Sequence, residues 1–429
     1  MKGSLLIKNA RILDPSADLD ETADICVENG CIREIAKDAD PDPYDAVIDA
    51  AGLVAAPGFV DVHAHFRDPG QTAKETLHTG ALAAAAGGYT SVVCMANTVP
   101  AVDEPGILKD ILERAAKEKI HIYQTAAVTL GREGIRLTDM AVLKASGAAG
   151  FTDDGTAIAD ERLTEQAMKE ASALDAVLSF HEEDPAFVYE AGVNSGRIAE
   201  TLGLKGADRR AEYLMIERDL KLALKTGAKT DIQHVSAKES VEIIRRYKAG
   251  DLKGIIHAEV TPHHFSLTED MVSEKGSLAK VNPPLRTEED RQALIEGIKD
   301  GTLDLIATDH APHTAEEKDR EFVKAPSGMT GLETALALGI TNLVDPGHIS
   351  LNKLIELMSC APAGLYGLAA GSLSVGSPAD AVLFDPAEEW VVTAEKMRSG
   401  SKNSPFIGQK LRGKVRYTIA AGEIIYKDR

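Results

Sequence analysis

Residues 58–70 read GFVDVHAHFRDPG. An apolar run leads into two histidines two positions apart, His63 and His65. Side chains alternate faces along a strand, so both imidazoles point the same way at the strand's end. Two imidazoles on one face suit a divalent transition metal. Asp61 lies on that face one step deeper. It either orients a ligand from behind or is a buried structural acid. Arg67 follows His65 by two. If the extended geometry continues, its guanidinium lies beside the metal and can hold a substrate carboxylate through two bonds. Otherwise it is a surface arginine in a loop.

Outward from this stretch, apolar β runs alternate with amphipathic helical segments. After GFVDVHAH come YTSVVCMANT, IHIYQTAAVTL, AAGFTDDG, AVLSFHEED, KTDIQHVSA, IIHAEVTPHHFSL and LDLIATDHAPH. Segments such as ILKDILERAAKEK and AEYLMIERDLKLALKTG separate them. Eight β runs interleaved with helices predict an α/β chain with a parallel (β/α)8 barrel of the TIM type, not a sandwich. An open doubly wound sheet would alternate similarly, but no GxGxxG-type loop opens a helix here. Residues 1–56 and 366–429 instead carry short β runs and turns, the pattern of a small sheet. The expected divisions are therefore 1–56, 57–365 and 366–429. A length of 429 residues fits a large barrel with a smaller domain.

A barrel builds its site at the C-terminal ends of its strands, and the residues that metals favour fall there. Asp153 and Asp154 end FTDDG; one of them can bridge two metals, or both can belong to a polar turn. His181 closes LSFHEED and His234 closes DIQHVSA. A lone histidine is more often structural, but two at matching ends of consecutive strands favour ligation. Asp309 ends the eighth run, where a carboxylate can touch metal and water and work as general base and acid. His313, four residues on, either binds substrate or is a loop histidine. His310, His263 and His264 are read as packing groups or supports behind ligands, and His78, His121, His257 and His348 lack supporting context. The charged, glycine-containing segment TAEEKDREFVKAPSGMTG, 314–331, reads as a mobile lid.

The net charge of −20 argues against nucleic acid or an anionic membrane as partner, since both would be repelled. Cys26, Cys31, Cys94 and Cys360 form no CxxC pair and are expected to be reduced cytosolic thiols. The opening MKGSLLIKNARILDP reads as a strand and a turn, not a signal peptide, and no apolar run is long enough to span a bilayer. A cytoplasmic enzyme is the expectation.

Taken together, PGFVDVHAHFRDPG, MANT, FTDDG, HEED, TPHH, VNPPLR, IATDHAPH and APSGMTGLET resemble class I dihydroorotases of the amidohydrolase superfamily, over nearly the whole chain. PGFVDVHAH is shared across that superfamily; the combination of FTDDG, NPPLR and ATDHAPHT is more specific. The resemblance implies that the terminal segments fold together as a small β-sandwich. It implies two zinc ions: His63, His65 and Asp309 would hold one, His181 and His234 the other, with Asp154 bridging. Many relatives bridge with a carboxylated lysine, and no lysine stands in the fourth run here. Arg67, Asn97 and His313 would hold a substrate carboxylate, with His65 also in contact. Asn282 would touch the pyrimidine ring, and the backbone at Ser327 and Gly328 would close over it. The implied reaction is reversible hydrolysis of dihydroorotate to N-carbamoyl-L-aspartate, with Asp309 as proton carrier. A homodimer and a complex with aspartate transcarbamoylase are the implied assemblies. Two positions depart from the pattern: Ala96 stands for a proline, and Ser327 for a bulkier residue. The rival readings are another cyclic amidase, such as a hydantoinase, which needs no carboxylate anchor, a non-catalytic scaffold, which would have lost metal ligands, and a plain binding protein on a barrel, for which the sequence offers no positive feature.

Overall fold

The computed structural model describes residues 3–251 and 254–428. Five strands open the chain: β1 (Leu5–Asp14), β2 (Leu19–Glu28), β3 (Cys31–Ala36), β4 (Ala46–Asp49) and β5 (Val54–Pro57). β2 and β3 are joined by Asn29-Gly30, both at positive φ, as a two-residue hairpin between right-twisted strands requires. Seven short strands follow: β6 (Phe59–Ala64), β7 (Tyr89–Cys94), β8 (His121–Gln124), β9 (Leu178–Phe180), β10 (Thr230–Ile232), β11 (Ile256–Val260) and β12 (Leu305–Ile306). Three more end it: β13 (Ala381–Val391), β14 (Lys410–Ala420) and β15 (Glu423–Lys427).

β6–β8 and β9–β12 form two parallel sheets. The fourth run, AAGFTDDG, supplies a single pairing residue. Phe151 bridges Ala126 beyond β8 to Leu178 of β9, both in parallel. A parallel bridge from Ala64 to His310 closes the ring. Eight positions thus make the barrel, one of them reduced to a residue. Helices return the chain between strands, among them Leu77–Ala86, Pro105–Ala115, Glu161–Ala173, Arg210–Thr226, Lys238–Lys248 and Glu288–Asp300. Their ends carry local stop signals. Thr287 and Asp290 cap each other reciprocally at one N-terminus, and Gly227 and Gly301 adopt left-handed φ at two C-termini. Three consecutive helical segments, Leu351–Ile355, Glu356–Cys360 and Ala361–Tyr366, were not foreseen. They pack under β6, where Ser359 Oγ donates to the Gly58 carbonyl.

The terminal segments share one sheet in the order β15-β14-β13-β5-β1-β2-β3, with β4 also on β1. β5 is the seam: parallel to β1 on one side, antiparallel to β13 on the other. The sheet wraps its own apolar cluster, which includes Ile7, Ile12, Ile25, Leu383 and Ile419. AVLFDP and EWVVTA, two runs in the sequence, belong largely to the one strand β13. Its register shifts between Asp385 and Glu389, where Asp385 accepts from Ala387 N and Glu388 N and Pro386 has no N–H to give.

Candidate metal centre and active-site cavity

His63 and His65 stand at the end of β6, and both are buried. His63 Nδ1 meets Glu259 Oε2 of β11 at 2.9 Å. A carboxylate there accepts the Nδ1 proton and turns the Nε2 lone pair inward. His63 Nε2 has no hydrogen-bond partner and lies 3.4 Å from Asp154 Oδ1 and 3.6 Å from Asp309 Oδ1. His65 Nδ1 contacts Asn97 Oδ1 at 2.9 Å, and its Nε2 contacts Asp309 Oδ1 at 3.0 Å. Donor atoms of His63, His65 and Asp309 lie within 4.8 Å of one another, as do those of His63, Asp154 and His234. His181 sits at the edge of these sets. Its Nδ1 lies 2.9 Å from His234 Nε2 and 3.7 Å from Asp154 Oδ1, while its Nε2 faces Glu183 Oε2 at 3.0 Å.

The electrostatics of the cluster follow from crowding. Burial opposes ionisation of Asp154, but the positive charge of His63, 3.4 Å away, outweighs it and holds the carboxyl well below its usual range. Asp309 is held low in the same way by His65 and His63. Burial also opposes the protonated form of His63, but Glu259 and Asp154 prevail and raise it. Burial, then His181 and His63, push His234 well down. Asp309 and His234 adopt positive φ, at 46° and 35°. Left-handed backbone costs energy for residues of this size and persists where surrounding structure enforces it.

The adjacent acids separate cleanly. Asp153 accepts from Val128 N at 2.8 Å and Thr129 N at 3.1 Å and binds the Thr129 hydroxyl, so it fastens a loop. Asp154 faces the cluster. Asp61 receives Thr308 N at 2.9 Å and the Thr308 hydroxyl, which ties β6 to the turn carrying Asp309. Burial pushes Asp61 up to about 6.

A cavity of about 190 Å³ opens over the cluster. It is lined by His65, Asp154, His181, His234, Asp309, Arg67, Asn97, Asn282, His313, Ser327 and Gly328, together with Gly155 and Ala311. Of the residues assigned from the sequence to the metals or the substrate, His63 alone is not part of this wall. Asn97 is engaged inside the cluster: Nδ2 donates to Asp154 Oδ2 at 2.9 Å, and Oδ1 meets His65. One of its two amide hydrogens is left for a ligand. Arg67 Nη2 lies 3.4 Å from His313 Nε2, whose closer contact is the Ser327 carbonyl at 2.8 Å. Burial, then Arg67 and Lys74, push His313 down to about 2, so the ring is neutral and Nε2–H donates to Ser327 O. Gly328 has φ 129°, and a Cβ there would meet Ala311 Cβ at 2.7 Å and His313 Nε2 at 3.1 Å.

His310 braces a loop through Glu75 and Gly331 N, and His264 fastens the Asn-Pro-Pro turn through the Pro283 carbonyl. His78, His121 and His257 pair with Glu118, Asp380 and Asp304, none of which lines this cavity. Arg286 of NPPLR is buried against Ser236, Asn194 and Glu212. The segment expected to be a lid, 314–331, is tied down at its distal half. Lys280 and Lys318 hold its carbonyls, and Asn403 clamps its base. Sequence reasoning missed Glu259, Asn403 and both lysines. A buried acid within the apolar run HAEV was the one available signal.

A parallel barrel with histidines and aspartates at its strand ends, flanked by a sheet from both termini, is the architecture of a hydrolase of the amidohydrolase type, and its clustered donor atoms could hold a metal ion. Solved structures share the architecture. L-hydantoinase (dihydropyrimidinase) from Arthrobacter aurescens matches with TM-score 0.89 and 26% identity, covering 100% of this chain and 96% of that one. Dihydropyrimidinase from Brevibacillus agri NCHU1002 matches in fold with TM-score 0.86 at 24% identity, covering 99% and 95%. Residues 52–240 match the family described as Dihydro-orotase-like. Dihydroorotase of Clostridioides difficile (strain 630) is 53% identical over 422 residues, 98% of this chain and 99% of the relative. Dihydroorotase of Lactococcus lactis subsp. lactis (strain IL1403) is 49% identical over 424 residues, 99% of each. The chain belongs to the dihydroorotase family of the amidohydrolase superfamily.

Proposed function

We propose that the chain is a zinc-dependent dihydroorotase, which reversibly hydrolyses (S)-dihydroorotate to N-carbamoyl-L-aspartate in pyrimidine synthesis. The observation that carries this reading is the joint placement of Arg67 and His313 with the His–Asp cluster on one cavity wall. A carboxylate anchor beside a hydrolytic centre is what a ring bearing a carboxylate needs. On this reading His63, His65 and Asp309 would hold one zinc, His181 and His234 would hold a second, and Asp154 would be shared between them. The donor chemistry fits: imidazole and carboxylate atoms converge, and buried His63 Nε2 has no hydrogen-bond partner among the described residues. The chemistry zinc supplies in such a set is polarisation of a carbonyl oxygen and acidification of water toward a pKa of about 7.

The remaining work belongs to the chain. Arg67, Asn97 and His313, whose one N–H is then shared between Ser327 O and the ligand, hold the substrate carboxylate, which brings the scissile ring carbonyl over the cluster. Asn282 contacts the ring, and the Ser327–Gly328 backbone covers it. As water adds to the scissile ring carbonyl carbon, Asp309 Oδ takes its proton, and as the ring C–N bond breaks it passes that proton to the leaving nitrogen. The division into 1–56, 57–365 and 366–429 belongs to the same reading. So do a cytoplasmic location, a homodimer and association with aspartate transcarbamoylase, which sedimentation of the chain alone and mixed with that enzyme will test.

The deciding experiment is dihydroorotate hydrolysis by the metal-stripped chain, with and without added zinc, beside metal analysis and the Asp309→Ala variant. Zinc-dependent turnover that vanishes in the variant is the expected result. The likeness to hydantoinases favours one second reading, a cyclic amidase for rings without a carboxylate. Preference for hydantoin or dihydrouracil over dihydroorotate would establish it and reject the first.

A further inference from the structure

Lys280 and Lys318 are each only 4% exposed, yet neither makes an ion pair with a carboxylate among the described residues. Glu317, next to Lys318 in sequence, pairs with Lys74 instead. Among the described residues the two side-chain nitrogens donate to backbone carbonyls alone. Lys280 Nζ reaches Phe322 O at 2.8 Å, Val323 O at 3.2 Å and Ala325 O at 2.8 Å. Lys318 Nζ reaches Pro326 O and Gly328 O, both at 2.9 Å. An ammonium has three N–H donors, and Lys280 uses them on three carbonyls of one strap, 322–328. Burying a cation without a counter-charge is costly, and an apolar side chain of similar length would fill the space without that cost. What the lysines provide is placement of carbonyls.

The strap leads directly into the cavity. Its Ser327 carbonyl accepts from His313 Nε2 at 2.8 Å, and Ser327 Oγ meets Asn282 Oδ1 at 2.9 Å. Gly328 N donates to the Lys280 carbonyl at 2.8 Å, so Lys280 grips the strap by side chain and main chain together. Ser327, Gly328, Asn282 and His313 all line the cavity.

We propose that Lys280 and Lys318 are positioning residues: by holding the carbonyls of the 322–328 strap they set the substrate-facing backbone of Ser327 and Gly328 and the ring of His313. The proposal rests on the reading of this cavity as the substrate site. Its structural half is tested without substrate.

The test uses the zinc-loaded full chain as wild type, Lys280→Ala and Lys318→Met. Amide hydrogen exchange at residues 322–330 is followed first. It is expected to quicken in both variants, while exchange in the barrel strands stays at the wild-type rate. Kinetics on dihydroorotate should show KM raised on the order of 10- to 100-fold, with kcat changed far less, because misplacement of binding groups is felt at that scale. Propylammonium replaces the atoms that Lys280→Ala removes and should restore both exchange and KM; tetramethylammonium, which has no N–H, should restore neither. Unchanged strap exchange and KM would overturn the proposal. So would exchange raised across the whole barrel with no rescue, the signature of a merely structural role. Should Lys280→Ala fail to fold, Lys318→Met decides by the same exchange and KM readings. A wild-type chain inactive on dihydroorotate would count against the proposed reaction and leave the exchange result to judge the strap.

Discussion

Asp153 and Asp154 are adjacent, chemically identical, and set to different tasks by the strand end on which they stand. Asp153 satisfies two backbone N–H groups of the loop after β8, whereas Asp154 faces His63. Asp154→Asn is therefore expected to lower zinc content per chain with little change in the metal-free melting temperature. Asp153→Asn should do the reverse, at a cost of about 1–3 kcal/mol for a weakened buried network. Metal analysis and thermal melts of both variants separate the two roles; equal zinc loss in both would refute the division. Arg67 adopts φ 57° beside His313. Arg67→Ala should lose on the order of 2–5 kcal/mol of transition-state stabilisation, read from kcat/KM for dihydroorotate. Near wild-type efficiency would remove Arg67 from the anchor. The candidate ligands were legible because histidines and acids stand out at the ends of apolar runs. Glu259 was not, since an acid inside a β run reads as an interruption until its partner, His63, is brought across the barrel.

At the scale of elements, the alternation of β runs and helices was visible, but the extent of pairing was not. The fourth run contributes one bridging residue, beyond which the chain turns: Asp153 accepts from Val128 N and Thr129 N, and the Thr152 hydroxyl accepts from Asp154 N within the turn itself. The segment beyond β12 reads as mobile from its charge and glycines, yet its distal carbonyls are held by two buried lysines. Its base is held from the C-terminal sheet segment. Asn403, 90 residues from His313, accepts from His313 N and donates to the carbonyls of Ala311 and Gly328. Asn403→Ala leaves those buried groups without partners. A loss of about 1–3 kcal/mol of stability per unsatisfied group is expected, together with weaker dihydroorotate binding at unchanged zinc content. Calorimetric melts and titrations check both; unaltered binding would show that the clamp serves folding alone.

The stability of the whole molecule against pH carries a signature of the strap. Burial, then Lys280, lowers Lys318 to about 7, against 10.5 for a free lysine. Between those values the unfolded chain holds a proton that the folded chain has released, so raising the pH favours the folded state. A neutral amine has two N–H donors, enough for both of its carbonyl bonds. The melting temperature of wild type relative to Lys318→Met should therefore rise from pH 7 to pH 10; a flat difference would contradict a lowered Lys318. Across the molecule, the amino-acid sequence by itself determined the barrel, the sheet built from both ends and the types of residue at the strand mouths. Periodicity and strand ends are local properties, set by covalent geometry over a few residues. The tertiary structure alone decided which acid of a pair faces the cluster, that Asn97 spends its amide on His65 and Asp154, and that Glu259, Lys280, Lys318 and Asn403 hold the site in place. Those choices depend on buried polar groups finding partners far away in the chain, and packing alone determines which partners come within reach.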